Sequence, residues 1–280
     1  MKNRALTRVT RTAFLFVYCA GFAASVTAQE SQVLRVAADP NNMPFSNQRK
    51  EGFENKIAEL LARELNCKLE YHWRAQRRGF FRETLKNGDV DFVVGVPAHF
   101  DMALTTAPIY RSSFVFVARA DRQLHVNSLD DARLRKFKIG VQLIGNDGVD
   151  TPPAHAIAAR GLVQNVRGYT LYGDYARENP PAQIMDAVVK GDVDVAIVWG
   201  PLAGFNAKRS RVPLEMMPVQ PQEDHALRFA FDIAIGVQKQ NRALKEKIDN
   251  VLAAHHEEIE RILDAYNIPR VGPASKRISL

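Results

Sequence analysis

The sequence contains only one long apolar run, Ala13 to Ala24. Its length of about 12 residues excludes a membrane-spanning helix, which needs about 20. Four basic residues precede the run, and Val26-Thr27-Ala28 follows it. This order of charged, apolar and small residues is typical of a secretory signal. We expect cleavage after Ala28 and a mature periplasmic protein that begins at Gln29 and has no integral membrane segment.

Cysteine is nearly absent, with two residues in the whole sequence. Cys19 lies in the predicted signal, so Cys67 is the only cysteine of the mature chain. An intramolecular disulfide is therefore excluded, even in an oxidising compartment. Cys67 begins an alternating strand pattern that continues through Leu69 to Trp73, which predicts a buried structural thiol; a reactive thiol is the alternative.

Charge of one sign is not in large excess once the signal is removed. The full chain has a formal net charge of +7. Residues 1–28 carry four basic residues and no acidic ones, so the mature chain has a charge of +3 and no long basic run. This balance predicts neither nucleic acid nor a membrane surface as a partner.

The common motifs of enzymes and metalloproteins are also missing. The sequence has no G-x-S-x-G, G-x-x-x-x-G-K-[ST], G-x-G-x-x-G or H-E-x-x-H, and no cysteine pair at zinc spacing. The adjacent His255 and His256 point to different sides of a predicted helix. Asn146-Asp147-Gly148 lacks the rest of a calcium loop and is typical of a turn. We therefore predict no metal site, no cofactor and no catalytic residue.

Short buried strands alternate with amphipathic helices along the chain, which indicates an α/β fold. The predicted strands are Leu34 to Ala38, Val90 to Val96, Phe114 to Ala118, Lys138 to Val141 and Phe231 to Val237. The predicted helices are Phe53 to Leu65, about Gly79 to Asn87, Pro152 to before Gly161, and one long stripe from Leu244 to Tyr266.

The tetrapeptide Gly-Asp-Val-Asp occurs at 88–91 and again at 191–194, each time after a predicted helix and before a buried strand. We interpret this repeat as one structural unit present in each of two lobes. No low-complexity linker separates two consecutive domains, which favours a chain that crosses between the lobes twice. The predicted organisation is a signal peptide at 1–28, a first lobe from 29–112 and 223–280, and a second lobe from 113–222.

Aromatic and polar side chains gather at the predicted strand ends, where open α/β sheets bind ligands in a crevice. This combination is typical of a small-molecule pocket, and ordinary packing is the alternative for any single aromatic residue. The residues predicted to form a ligand- or partner-binding cleft are Asp39, Asn42, Phe45, Trp73, Arg77, Arg78, His99, Tyr110, Arg111, Asn146, Asp147, Tyr172 and Trp199.

Four arginines crowd one loop and the helix start that follows it, namely Arg74, Arg77, Arg78 and Arg82. Guanidinium groups at a helix N-terminus can bind a carboxylate, a phosphate or an acidic protein face. A solvated helix start is the alternative.

Short motifs carry a resemblance across nearly all of the mature chain. Leu34-Arg35-Val36-Ala37, Gly52-Phe53-Glu54 and the Gly-Asp-Val-Asp strands resemble family 3 of the extracellular solute-binding proteins, two-lobed binders of amino acids. More specific segments resemble its quinoprotein-dehydrogenase-associated branch, the J-type accessory proteins of bacterial methanol oxidation. They are Gln76-Arg77-Arg78-Gly79-Phe80, Tyr110-Arg111-Ser112-Ser113, Thr151-Pro152-Pro153-Ala154-His155, Val166-Arg167-Gly168-Tyr169, Tyr172-Gly173-Asp174-Tyr175, Asn179-Pro180-Pro181-Ala182 and Val198-Trp199-Gly200-Pro201-Leu202-Ala203-Gly204. The resemblance implies a type II periplasmic binding protein-like fold, with two α/β lobes joined by two crossover segments and a cleft between them.

Two positions depart from the amino-acid binders of this family. Such proteins place an arginine about nine residues before the proline that precedes the first crossover, where it holds the ligand carboxylate. Counting back from Pro108 gives His99, and no arginine lies between Ala98 and Tyr110. Trp199 stands where these binders commonly carry an aspartate for the ligand ammonium. Standard amino acids are therefore not expected as ligands.

The resemblance implies a periplasmic accessory protein, not an enzyme. Its expected partner is a pyrroloquinoline-quinone (PQQ)-dependent methanol or alcohol dehydrogenase, or the cytochrome partner of that enzyme, whose maturation or activity it would assist. A small molecule in the cleft is a further expected partner. The alternative is the substrate-binding protein of an ABC transporter for a small molecule that is not a standard amino acid. A third hypothesis is catalysis, because cyclohexadienyl-dehydratase-like enzymes share this scaffold.

Overall fold

One mixed β-sheet with helices on both sides forms the frame of the protein in the computed structural model, which describes residues 32–144, 150–171, 175–176 and 179–272. The predicted signal peptide, its cleavage site and the Asn146-Asp147-Gly148 turn lie outside these residues. The strands are β1 (Val33–Ala38), β2 (Asn41–Asn42), β3 (Ser46–Asn47), β4 (Lys68–Trp73), β5 (Phe92–Pro97), β6 (Leu104–Thr105), β7 (Tyr110–Arg119), β8 (Ile139–Leu143), β9 (Val166–Thr170), β10 (Val195–Trp199), β11 (Leu214–Pro218), β12 (Glu223–Asp224), β13 (Leu227–Arg228) and β14 (Ala230–Val237). The α-helices are α1 (Phe53–Glu64), α2 (Pro152–Ala159), α3 (Gln183–Lys190), α4 (Gly200–Arg209), α5 (Arg242–Ala254) and α6 (His256–Ala265).

The first lobe is built on the strand order β4-β1-β5-β14, with α1, α5 and α6 packed against it. Strand β1 runs parallel to β4 and β5, whereas β14 is antiparallel to β5. The apolar stripe of α1, which includes Phe53, Ile57 and Leu61, is fully buried in this core. Burial of such a stripe supplies most of the free energy that holds a helix of this length.

The second lobe is built on the strand order β7-β10-β8-β9, with β11 paired to the other edge of β7. Strand β8 is parallel to β9 and β10, and β7 is antiparallel to β10. Its core contains the fully buried side chains of Phe116, Ile139 and Ile197, and Ile184 of α3 is buried on the opposite face of the sheet.

The chain passes from the first lobe to the second along β7. Residues 110–113 of this strand pair with β14, and residues 114–119 pair with β10 and β11. The chain returns through the segment between β11 and β14. Two α/β lobes joined by two crossover segments are the predicted fold class, which is therefore confirmed. The lobe boundaries at 112/113 and 222/223 remain predictions.

The two Gly-Asp-Val-Asp segments have the same structure in the two lobes. The Asp91 carboxylate accepts a hydrogen bond from the backbone N–H of Arg35 (2.7 Å), and the Asp91 N–H donates to the Arg35 carbonyl (2.9 Å). Asp194 makes the same two contacts with Lys138, both at 2.8 Å. Each aspartate ties the start of its own strand to the start of a parallel neighbour, so the repeated unit is present in both lobes.

The long C-terminal helix predicted from the apolar stripe is in fact two helices that meet at His255. The His255 ring lies between Glu64 of α1 and Glu258 of α6, with N···O distances of 3.0 and 3.5 Å. A single helix would be about 36 Å long, twice the length of α1. The break therefore allows both α5 and α6 to contact α1.

Two smaller predictions need correction. Cys67 is partly exposed rather than buried, because it lies just before the edge strand β4, and its thiol donates a hydrogen bond to the Leu65 carbonyl (3.3 Å). The regular helix predicted from Gly79 to Asn87 is a short segment whose centre, Arg82–Lys86, is a π-helix. Within the described part of the chain, no helix is long and apolar enough to cross a membrane.

Candidate functional site

A cavity of about 220 Å³ lies between the two lobes, at the carboxyl ends of their parallel strands. This is the position at which open α/β sheets bind ligands. Among the residues that the structure describes, the wall contains aromatic rings, aliphatic residues, several uncharged polar side chains and one acid. The aromatic and polar residues of the wall are Phe45, Tyr110, Phe114, Trp199, Asn42, Gln76, Gln142, Thr151 and Glu54.

Trp199 is placed in the wall by the end of β10 and the start of α4. Its backbone N–H donates to the Gln142 side-chain carbonyl (3.1 Å), and Gln142 is itself buried. The indole packs edge-on against Phe114 and Phe231, with ring centroids 5.2 and 6.0 Å apart. Such contacts hold the ring in one orientation and make this wall of the cavity rigid.

Glu54 is the second residue of α1 and projects into the cavity beside Gly95 of β5. A Cβ atom on Gly95, where φ is +86°, would lie 2.1 Å from the Glu54 carboxylate, so only glycine permits this approach. Among the residues that the structure describes, none donates a hydrogen bond to this carboxylate or forms an ion pair with it. Burial, together with the nearby Asp39 carboxylate, raises the pKa of Glu54 to about 8.

Glu54 is not among the site residues predicted from the sequence, although it belongs to the Gly52-Phe53-Glu54 motif of the family resemblance. The position directly after the Gly52-Phe53 helix start was the available signal, because a side chain in the first turn of α1 lies beside the strand ends. Tyr110, which lines the same cavity, is buried in the first lobe. Burial and the Glu54 carboxylate raise the Tyr110 pKa well above its ordinary value, so its hydroxyl stays protonated.

Asp39, at the end of β1, is the centre of a contact between the lobes. Its buried carboxylate accepts hydrogen bonds from the backbone N–H groups of Asn41 (2.8 Å) and Gln76 (2.7 Å) and from the Tyr175 hydroxyl (2.7 Å). The Arg77 guanidinium lies 5.0 Å from the centre of the Tyr175 ring. We call the contact of Tyr175 with Asp39 and Arg77 the latch.

A second hydrogen bond lies beside the latch. The backbone N–H of Asn179 donates to the side-chain carbonyl of Asn41 at 3.1 Å. Burial and the bond to Asp39 raise the Tyr175 pKa above its ordinary value. The tyrosine therefore remains a hydrogen-bond donor throughout the physiological range.

The structure brings together only part of the predicted cleft. Asn42, Phe45, Tyr110 and Trp199 line the cavity, and Asp39 and Arg77 form the latch. The predicted residues Asn146, Asp147 and Tyr172 lie outside the described residues.

Four of the predicted residues neither line the cavity nor form the latch, and the exposed Arg78 is one of them. Trp73 stacks flat on Tyr71 of the same strand face, with ring centroids 4.5 Å apart. His99 lies in an exposed turn at a φ of +62°. Arg111 forms an ion pair with Asp232 (2.9 Å), because successive residues of a strand point to opposite faces and its neighbour Tyr110 takes the cavity side.

The arginine cluster is largely engaged in contacts within the protein. Arg74 and Arg82 both form ion pairs with Glu83, and Arg77 belongs to the latch. Arg77 and Arg78 are nevertheless solvent-exposed. An anion site formed by all four arginines is therefore not assembled, but an exposed basic surface remains at 77–78.

Among the described residues, no three His, Cys, Asp or Glu side chains lie close enough together to hold a metal ion. The cavity combines hydrophobic rings, directed amides and one carboxylate, which is the composition of a small-molecule binding site.

Two lobes, two crossovers and a cavity at the strand ends define a two-lobed binding protein. The chain belongs to the bacterial extracellular solute-binding proteins, family 3, whose pattern it matches over residues 34–268. It is a protein of the periplasmic binding type, as its fold and family indicate.

Within that family the chain is similar to proteins of the J-type branch, as predicted. It is 30% identical to "Protein MoxJ" of Methylorubrum extorquens, over 88% of this chain and 84% of that protein. It is 28% identical to "Protein MoxJ" of Paracoccus denitrificans, over 88% and 92%. The crystal structure of the periplasmic binding protein XoxJ from Methylobacterium extorquens AM1 superposes with a TM-score of 0.70 at 35% identity, covering 86% of this chain and all of that one.

Proposed function

We propose that this protein is a periplasmic accessory protein of methanol or alcohol oxidation, which binds a PQQ-dependent dehydrogenase or its cytochrome partner and assists its maturation or activity. The similarity to MoxJ and XoxJ over most of the chain supports the proposal. The observation that carries it is the composition of the cavity. Among the described residues of its wall there is no arginine or lysine that could hold an amino-acid carboxylate.

The exposed basic surface beside the cavity is the proposed contact for the dehydrogenase. Arg77 and Arg78 are solvent-exposed, and arginine is enriched among the residues that dominate protein–protein binding energy. Tyr110, which is predicted for the ligand- or partner-binding cleft, is 6% exposed and packs against Phe53. The proposed contact surface therefore does not include it.

A second candidate function is a receptor that delivers a small molecule to an ABC transporter. The latch favours it, because the hydrogen bond from Tyr175 to Asp39 joins the two lobes, as lobe closure around a ligand requires. The ligand would not be a standard amino acid, because the described residues of the cavity wall include no cation for its carboxylate.

One experiment separates the two candidates. The mature protein is immobilised, and binding of the dehydrogenase and of the cytochrome from the same organism is measured by interferometry. The dehydrogenase activity is followed in parallel, with and without the protein. Saturable binding together with higher activity or yield of active dehydrogenase supports the accessory function. If neither protein binds and activity is unchanged, the accessory function is wrong and the transport receptor is the better hypothesis.

A further inference from the structure

The cavity wall has an uneven distribution of charge. Glu54 is the acid of the wall, and the remaining described wall residues are uncharged. The four aromatic residues Phe45, Tyr110, Phe114 and Trp199 line the same space. The faces of such rings carry negative partial charge, so the aromatic residues and the Glu54 carboxylate together can favour a cation.

Three arginines near the cavity wall contact other groups instead of Glu54. Arg77 lies over the Tyr175 ring, and Arg111 is paired with Asp232 on the other face of β7. Arg74 is paired with Glu83. None of these guanidinium groups neutralises Glu54, and the nearest charged group that acts on it is the Asp39 carboxylate, which repels it.

An unpaired carboxyl group in such a position is unfavourable for the protein alone. The charged form of a carboxyl group without a partner costs free energy in a poorly hydrated space, and the raised pKa of Glu54 reflects this cost. Gly95 makes room for this carboxyl group, since any side chain there would overlap it.

We propose that the cavity is a binding site for a small organic cation, an alkylammonium compound without a carboxylate group, whose charge is balanced by Glu54 and whose carbon atoms contact the aromatic wall. The cavity volume corresponds to roughly seven water molecules, which is enough space for a small alkylammonium ion. The site is independent of the proposed function, because it concerns the cavity and not the surface that contacts a dehydrogenase.

The charge balance predicts how binding depends on pH. Glu54 must lose its proton to pair with a cation, and its pKa is raised to about 8. The affinity should therefore rise with pH up to about 8 and then level off. The groups that face Glu54 from other elements are Asp39 at the end of β1, an acceptor of three hydrogen bonds, and Tyr110 on β7, which stays protonated.

The test uses isothermal titration calorimetry with the mature protein and three probes. Choline and methylammonium are the cations, and the uncharged isostere of choline, in which carbon replaces nitrogen, is the control. We expect at least one cation to bind at about pH 8.5, with affinity at least about tenfold lower at pH 6.5, and the isostere to bind more weakly and without pH dependence.

Two variants locate the site. Glu54→Gln keeps the size of the side chain and should weaken cation binding at least about tenfold at pH 8.5 while removing its pH dependence. Glu59→Gln is the matched control, because this glutamate lies on the same helix, is partly exposed and is paired with Lys56, and it should bind like the wild type. Trp199→Leu retains an apolar wall and should weaken the cation more than the isostere.

Equal binding of choline and its isostere would overturn the proposal, as would unchanged cation binding by a Glu54→Gln variant with a native circular dichroism spectrum. Failure of both cations to bind at concentrations of about 10 mM would also overturn it, since that affinity is below about 3 kcal/mol. None of these outcomes depends on dehydrogenase binding, so the proposed function and this site can fail separately.

Discussion

The Tyr175 hydroxyl donates a hydrogen bond of 2.7 Å to the Asp39 carboxylate and so connects a loop of the second lobe to the end of β1 in the first. Asp39 also accepts hydrogen bonds from the backbone N–H groups of Asn41 and Gln76, so its carboxylate is held by two groups of the first lobe as well as by Tyr175. Tyr175 is therefore the group that the second lobe contributes to this contact.

Loss of this hydroxyl should loosen the two lobes. Tyr175→Phe removes one hydrogen bond to a carboxylate, so the free energy of unfolding should fall by about 2 kcal/mol. Small-angle scattering should show a larger radius of gyration for the variant. Tyr169→Phe, on β9 of the second lobe, is the control and should leave the radius unchanged. A Tyr175→Phe protein as closed and as stable as the wild type would show that the latch is not a determinant of lobe closure.

The raised pKa of Glu54 predicts a pH-dependent stability. The folded protein binds a proton at this site more tightly than the unfolded chain, in which the pKa is near 4.5. Its stabilising contribution is thus complete below the unfolded value and is lost as the pH rises to about 8. Chemical denaturation across this range should show wild-type stability falling by a few kcal/mol, on the order of 3, since part of the shift is offset by solvent at the cavity.

Comparison of two variants isolates this effect. Glu54→Gln should be more stable than the wild type at about pH 8.5 and similar to it at about pH 5, because the amide cannot ionise. Glu59→Gln should follow the wild-type curve at both values. A Glu54→Gln curve parallel to the wild-type curve would contradict the assignment of the proton to this residue.

The basic surface at 77–78 should steer association with the dehydrogenase. Arg77→Ala/Arg78→Ala should reduce the association rate about tenfold at low ionic strength, and physiological salt should shrink the difference because it screens exposed charges. Arg135→Ala/Lys136→Ala removes the same charge from an exposed pair just before β8, at the opposite end of the strands, and is the matched control. Interferometry checks both rates, and equal effects of the two pairs would mean that only the net charge matters.

Standard amino acids should bind more weakly than about 1 mM, which is roughly 4 kcal/mol. The described wall of the cavity has no cation for the ligand carboxylate, and the position expected for the arginine is His99, in an exposed turn. Calorimetry with the twenty amino acids checks this. A micromolar dissociation constant for any of them would contradict this interpretation of the cavity.

The exported protein should begin at Gln29. The charged, apolar and small-residue order of the first 28 residues predicts cleavage after Ala28. Intact-mass measurement on the periplasmic fraction checks the position. Retention of residues 1–28 in the exported protein would show that the segment is not a cleaved signal.

The sequence alone determined the α/β alternation, the repeated unit and several residues of the cavity. These features depend on local patterns: the apolar periodicity of α1 and β14, the glycine that ends a helix before each Asp-Val-Asp, and aromatic residues at the ends of strands. Trp199 could be chosen because it ends β10, which is parallel to β8, and the end of a parallel strand lies at the crevice wherever this fold forms.

Only the tertiary structure decided which side chains face the cavity and what they contact there. Tyr110 and Arg111 are adjacent in the sequence, and both are predicted for the binding cleft. The pleat of the strand nevertheless directs Tyr110 into the cavity and Arg111 toward Asp232. The position of Glu54 depends on the close approach of α1 to Gly95, and the latch depends on how the second lobe meets Asp39. These contacts join residues far apart in the chain, so no local pattern encodes them; packing of the lobes alone brings them together.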